Sequence, residues 1–200
     1  MKSLFFILLA YFLGSVPAGV WVGKYFKNID IREHGSKNTG TTNAWRVLGA
    51  RYGVLVLFID ALKGWLPPFL ASKAGVSGNI LVFIGMVAIL GHTLSCFLRF
   101  KGGKGVATSL GTFLFLIPKV TLILLVLFIV IVALSKYISL GSIVCAGLLP
   151  ILTLLFPPTK SGMTRGPIFV ITLFTGIFVI WKHRSNIARL RSGSENKFKF

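Results

Sequence analysis

Three stretches of this chain set basic residues among glycines and short hydrogen-bonding side chains. They are HGSKNTGTTNAWR at residues 34–46, FKGGKGVATS at 100–109 and HRSNIARLRSGSENK at 183–197. Glycine lets successive backbone N–H groups turn toward a ligand, and a helix that starts just after such a loop adds its positive end. The chemistry this favours is binding of phosphate or another polyanion. In the second stretch Gly102, Gly103 and Gly105 surround Lys104 and precede a helix expected to start near Val106. In the first, Ser36, Asn38, Thr42 and Asn43 supply donors and acceptors, and Arg46 offers a planar fork for phosphate oxygens. That stretch also reads as a turn-rich loop capping a helix, with Thr42 or Asn43 as N-cap.

The elements that must hold these loops are apolar. The chain has 200 residues, of which 54% are hydrophobic and 13% charged, with a mean hydropathy of +0.84. A soluble domain carries about 25% charged residues, so composition points to a membrane protein. Apolar runs at 3–25, 52–72, 76–98, 106–117, 120–135, 139–156 and 167–181 mostly approach the roughly 20 residues needed to cross a bilayer. Five of them read as strong spans. The weaker runs 106–117 and 120–135, separated by Pro118 and Lys119, read either as two helices or as a broken re-entrant unit. The first run resembles a secretory signal in outline, but no soluble domain follows it and we expect it to be a span.

Seven spans with the N-terminus outside place sixteen of the 22 basic residues on one side: six in 24–51, three in 99–104, Lys136 and six in 182–199. Only Lys2, Lys73, Lys119, Lys160 and Arg165 fall on the other, with Lys63 inside a span. That bias marks the loop-bearing face, and the C-terminus with it, as cytoplasmic. The positive-inside rule and anionic headgroups account for the net charge of +18 without any catalytic role. They do not account for the glycine, serine and asparagine clustered with it.

Inside the apolar segments, Asp60 and Lys63 are spaced to neutralise each other on one helical face. Such a pair is either functional or a device that orients its helix. Pro17, within GSVPAG, should break the ladder of the first span, and a break at that depth survives only against protein or a polar cavity. Ser139 and Ser142 mark the mouth of the sixth span. His92 suits packing or anchoring of a loop. Cys96 and Cys145 lie in apolar runs and suit packing.

Several activities are excluded by what the sequence lacks. Its four acids, Asp30, Glu33, Asp60 and Glu195, are too scattered for a carboxylate metal cage. No G-x-x-x-x-G-K-[ST] loop, H-x-x-x-x-D dyad or G-x-S-x-G elbow occurs. An enzyme with this sequence is expected to need no metal, no cofactor and no covalent nucleophile.

In chain order, GSVPAG, DIREHGSKNTGTTNAWRVLG, DALKG, GHTLSCFLRFKGGKGVAT, SLGSI and HRSNIARLRSGSENK resemble the bacterial acylphosphate-dependent glycerol-3-phosphate acyltransferases, the PlsY family, from about residue 11 to 197. Two positions depart from that pattern. Lys37 stands where the family usually has glycine, and Thr41 where it usually has a small residue.

The resemblance implies an all-α integral membrane protein, a polytopic bundle of about seven helices forming one domain over residues 1–200. It implies a place in the bacterial inner membrane with the active site facing the cytoplasm. The reaction it implies moves an acyl group from acyl phosphate to the 1-hydroxyl of glycerol-3-phosphate, giving lysophosphatidic acid and inorganic phosphate. Its expected partners are these two substrates, membrane lipid and a functional link to the enzyme that makes acyl phosphate, with no nucleic acid.

We expect Arg46, Lys104, His183 and Asn186 to be catalytic. We expect Ser36, Asn38, Gly40, Thr42, Asn43, Gly102, Gly103, Gly105, Ser142 and Arg184 to bind substrate phosphate. The proton of the attacking hydroxyl has two candidate acceptors, His183 and the acyl phosphate itself. A transporter for a phosphorylated metabolite is the main rival, since broken helices that aim donors at an anion also describe transporter sites. It predicts internal inverted repeats, and none is evident in the sequence. A noncatalytic scaffold leaves the clustered polar residues unexplained.

Overall fold

The computed structural model describes residues 1–156, 158 and 162–198; Lys160 and Lys199, both used in the charge tally, lie outside them. The described residues form ten α-helices and no strand. They divide into two compact units, Met1–Phe115 and Leu116–Phe200.

In the first unit, the apolar run 3–25 folds as α1 (Lys2–Ser15) and α2 (Ala18–Lys27), bent by 45° at Val16–Pro17. Proline supplies no N–H to the ladder, which is why the break falls there. Protein closes the gap: the Ser95 hydroxyl donates to the Ser15 carbonyl at 2.5 Å, and the Lys63 ammonium donates to the Val16 carbonyl at 2.6 Å. The expectation that so deep a break must be covered is met by these two side chains.

Helices α3 (Thr41–Leu48), α4 (Ala50–Lys73) and α5 (Asn79–Thr93) follow, then one 3-10 turn at Cys96–Leu98 and α6 (Val106–Leu116). Helix α1 packs along α5 and α4, and α3 packs on α4. Helices α4 and α6 meet backbone to backbone. A Cβ at Gly64 would collide with the Thr108 carbonyl and one at Gly111 with that of Ala61, and the Thr112 hydroxyl donates to the Gly64 carbonyl at 3.0 Å. Small residues at the crossing are how helices approach closely in lipid, where no hydrophobic force drives them together. Beneath the first two loops, Ala18, Val20, Val22, Ile31, Ala44, Leu48, Val56 and Leu98 form a small apolar core that seats both.

The second unit holds α7 (Pro118–Ser135), α8 (Ile138–Leu155), α9 (Arg165–Lys182) and α10 (Arg184–Arg191). Helix α8 packs between α7 and α9, and α10 touches α8 and α9. The runs 106–117 and 120–135 fold as two helices, one of the two readings left open, and of the two α7 alone is long and apolar enough to span; Pro118 stands at the boundary. It is the first residue of α7, where its fixed φ is an asset and its missing N–H costs nothing. Leu122, Val126, Ile129 and Val130 of α7 are exposed, as a lipid-facing surface requires.

Among the described residues, five helices (α4, α5 continued to Leu98, α7, α8 and α9) are long and apolar enough to cross a membrane, and the bent pair α1–α2 adds a sixth candidate. Helix α6, at 11 residues, is apolar but short.

Candidate active site

The first loop is organised from within by Asn43. Its side chain is 1% exposed, and its Nδ2 group donates to the carbonyls of Ile31 (2.8 Å), His34 (3.2 Å) and Asn38 (2.9 Å). Its Oδ1 accepts from the Ser36 N–H at 2.8 Å. Every polar atom of that side chain is thus committed to the loop's backbone. Asn43 shapes the phosphate-binding candidate and is not free to bind phosphate, which corrects its sequence-based role. It is not the N-cap either; Gly40 caps α3 in extended conformation, and its N–H donates to Asn38 Oδ1 at 2.9 Å. The loop leaves Ser36 exposed and Thr42 half-buried. Arg46 lies exposed on α3 with no ion-pair or hydrogen-bond partner among the described residues. Before the loop, the Arg32 guanidinium grips Asp30 at 2.9 and 2.6 Å, and these bonds hold its carboxyl well below the usual carboxylate range.

The second loop is built against His92. The Gly102 N–H donates to the Thr93 carbonyl (3.1 Å) and the Gly103 N–H to the His92 carbonyl (3.2 Å). A Cβ at Gly102 would run into the His92 carbonyl, and one at Gly103 into its imidazole Nε2. The two glycines are there because the chain passes hard against this histidine. Their amides are already used, so the expectation that they cradle phosphate does not fit this conformation. Gly105, at φ +85, makes the left-handed turn into α6, and Lys104 is held half-buried between them.

Behind this loop lies a buried charge chain. Lys63 Nζ is 2.7 Å from Asp60 Oδ1, and His92 Nδ1 is 3.6 Å from the same oxygen. All three side chains are buried. The ammonium that closes the break at Val16 and the histidine that seats the glycine loop therefore share one carboxylate. His92 is a loop anchor, as expected, and the Asp60–Lys63 pair orients more than its own helix.

Gly102→Ala tests this seating. Its methyl would meet backbone, which cannot swing aside, so we expect a stability loss of about 1–3 kcal/mol together with a fall in kcat/KM, read from unfolding and turnover of one preparation.

In the second unit, His183 joins α9 to α10 and is 4% exposed, with Nδ1 2.8 Å from the Val179 carbonyl. A carbonyl only accepts, so Nδ1 carries a proton in this contact. Arg184 is exposed and lies over the Trp181 ring at 4.8 Å. Ser142 is buried and donates to the Ile138 carbonyl of its own helix at 2.9 Å.

The residue that sequence reading missed here is Glu195. Oε1 accepts from Asn186 Nδ2 (2.6 Å) and from the Ser139 hydroxyl (2.7 Å), while Oε2 accepts from Arg189 Nε (2.7 Å). Phe198 adds a backbone bond to the Lys136 carbonyl at 2.6 Å. An acid in a polar tail carries no signal in sequence; its three donors come from α8 and α10. Burial alone would raise the Glu195 pKa, but the bonds from Asn186, Ser139 and Arg189 outweigh it and leave it lowered.

A group with a depressed folded pKa stabilises above its unfolded value, ordinarily 4.5 for this carboxyl, and ceases to do so as pH falls through the folded one. Glu195→Gln should therefore make residues 194–198 sensitive to carboxypeptidase at pH 7. The parent should acquire the same sensitivity only on acidification below the ordinary glutamate range.

The glycerol-3-phosphate acyltransferase family profile matches residues 4–193. The chain belongs to the PlsY family of glycerol-3-phosphate acyltransferases. A glycerol-3-phosphate acyltransferase of Fusobacterium nucleatum subsp. nucleatum is 56% identical over 195 residues, covering 98% of this chain and 97% of the relative. One from Geobacter sulfurreducens is 44% identical, covering 100% and 99%. The crystal structure of PlsY, an integral membrane glycerol 3-phosphate acyltransferase, in its glycerol 3-phosphate form superposes with a TM-score of 0.90 at 37% identity, covering 100% of this chain and 96% of that one. Its lysophosphatidic acid form gives a TM-score of 0.85 at 36% identity, with the same coverage. The expected PlsY membership and all-helical membrane fold are both met, and the chain is a multi-pass membrane protein.

Proposed function

We propose that this chain transfers an acyl group from acyl phosphate to the 1-hydroxyl of glycerol-3-phosphate, releasing lysophosphatidic acid and inorganic phosphate for phospholipid synthesis. The observation that carries the reading is the match to the PlsY family over residues 4–193. The geometry supports it, because in the first unit α3 carries Arg46, whose guanidinium has no partner among the described residues, and the glycine loop carries a half-buried ammonium, Lys104, both suited to phosphate.

Acyl phosphate is a mixed anhydride, so its carbonyl is activated before it arrives. The hydroxyl oxygen forms the new ester bond, the bond from carbonyl carbon to phosphate oxygen breaks, and phosphate leaves with the electron pair. Arg46 and Lys104 neutralise the departing phosphate and hold the second phosphate in place. The hydroxyl proton goes to a phosphate oxygen of the donor, which ends as part of the released phosphate. In the second unit the Val179 carbonyl orients the His183 ring and Glu195 holds Asn186, so both side chains have fixed positions where α9 meets α10.

Purified protein should release phosphate only when acyl phosphate and glycerol-3-phosphate are both present, and exhaustive chelation of divalent metal should leave the rate unchanged. Equal rates with an acyl thioester as donor, or transport of glycerol-3-phosphate without turnover, would refute the reading. The reaction is placed at the cytoplasmic face of the bacterial inner membrane. Cysteines introduced at positions 38, 103 and 192 should then be labelled from one side, and those at 75 and 162 from the other.

A further inference from the structure

Beside the loops already described, the first unit contains a cavity of about 510 Å³. Arg32 just before the first loop, Lys37 within it, Arg99 just before the second and Lys101 within it line the cavity, together with the Phe97 ring, and no acid does. Arg32 is held by Asp30. Lys37, Arg99 and Lys101 have no hydrogen-bond or ion-pair partner for their side chains among the described residues. Neither Arg46 nor Lys104 lines this cavity, although Asn38 and Gly102 join it to their loops.

The backbone is strained to make it so. Lys37 (φ +57), Arg99 (φ +51) and Phe100 (φ +61) all adopt the left-handed region, three of the five non-glycine residues that do so among those described. Each such residue costs free energy that a glycine would not, and strain of this kind gathers where a ligand is held. Lys37 shows it most clearly: a charged side chain occupies a position whose backbone favours glycine.

The cavity also has an apolar flank. Phe97 is exposed and meets the exposed Trp21 edge to face, with ring centroids 5.7 Å apart. Aromatic pairs of this kind sit at the boundary of water and lipid. We propose that this cavity binds the phosphate headgroup of an anionic membrane lipid, with the acyl chains running past Phe97 and Trp21. Lysine and arginine at the membrane surface attract such headgroups, and an arginine fork matches phosphate oxygens. A free phosphate offers the same oxygens but nothing for the aromatic pair to hold.

The test uses the full chain in neutral detergent micelles, titrated calorimetrically with dioctanoyl phosphatidylglycerol, dioctanoyl phosphatidylcholine and inorganic phosphate. The double variant Lys37→Gly/Arg99→Gly removes two cations and gives glycine to two left-handed positions, so its melting temperature should equal or exceed the parent's. Phosphatidylglycerol should bind the parent about tenfold or more tighter than phosphatidylcholine, and the variant should lose that margin. Lys101→Gln, which leaves the backbone untouched, should lose part of it.

Unchanged phosphatidylglycerol affinity in both folded variants would overturn the proposal. Displacement of the lipid by inorganic phosphate at equal affinity would also overturn it, by assigning the cavity to a soluble anion. No turnover is measured, so the result stands apart from the identity of the acyl donor.

Discussion

Lys104→Ala and Arg46→Ala are each expected to leave a folded, membrane-inserted protein whose kcat/KM is lower by roughly 10²–10³. Neither change opens an apolar core, since Arg46 is exposed on α3 and Lys104 is half-buried on a loop whose course is set by Gly102, Gly103 and His92. In the proposed reaction, each replacement removes a cation that would face the charge developing on the leaving phosphate. Such a charge is worth most where the surroundings need not reorganise to provide it. Arg46→Lys should remain clearly impaired, because a compact ammonium cannot offer two parallel N–H bonds to one phosphate. If these residues served only the inside bias of basic charge, single replacements would barely alter turnover and Arg46→Lys would be silent. Steady-state kinetics at saturating and subsaturating acyl phosphate, on protein checked for unfolding, separates the two accounts.

The second large effect belongs to stability. Lys63→Met should destabilise the protein by about 3–5 kcal/mol, because it strands the buried Asp60 carboxylate and uncovers the Val16 carbonyl. The double replacement Asp60→Leu/Lys63→Met should recover much of that loss, since apolar side chains of similar size often replace a buried ion pair at little cost. It should not recover activity. His92 would have lost the carboxylate beside Nδ1, and the glycine loop resting on His92 would lose its fixed seat. Recovery of both stability and turnover in the double variant would mean that the pair serves packing alone. Chemical unfolding in micelles and turnover of the same samples decide this.

The fold was largely legible because its signals are local. Apolar run length gave the helices, Pro17 gave the 45° break, and the three-residue spacing of Asp60 and Lys63 gave an ion pair that forms at 2.7 Å. The start of α6 at Val106 followed from the glycines before it. The site was legible as residue types but less so as roles. Asn43 and Ser36 look alike as polar loop residues, and only tertiary geometry shows that one is spent on four backbone bonds while the other is exposed. Gly102 and Gly103 suggested amides aimed at a ligand, but their purpose is room for His92, ten residues earlier in the chain. Glu195 depends on donors up to 56 positions away, which no periodicity or spacing encodes.

The closure of the break in the first span also bears on how the chain is made. The Ser15 and Val16 carbonyls receive their donors from residues 80 and 47 positions later. A ribosome therefore delivers the open Ser15 carbonyl, and a Val16 carbonyl met locally only by the Ala18 N–H at 3.1 Å, well before the side chains that close them. Until Ser95 arrives, the Ser15 carbonyl has only water or headgroups to pair with. Closure of the bend by side chains is thus a late event of biogenesis, completed by residues made after the helix that bends.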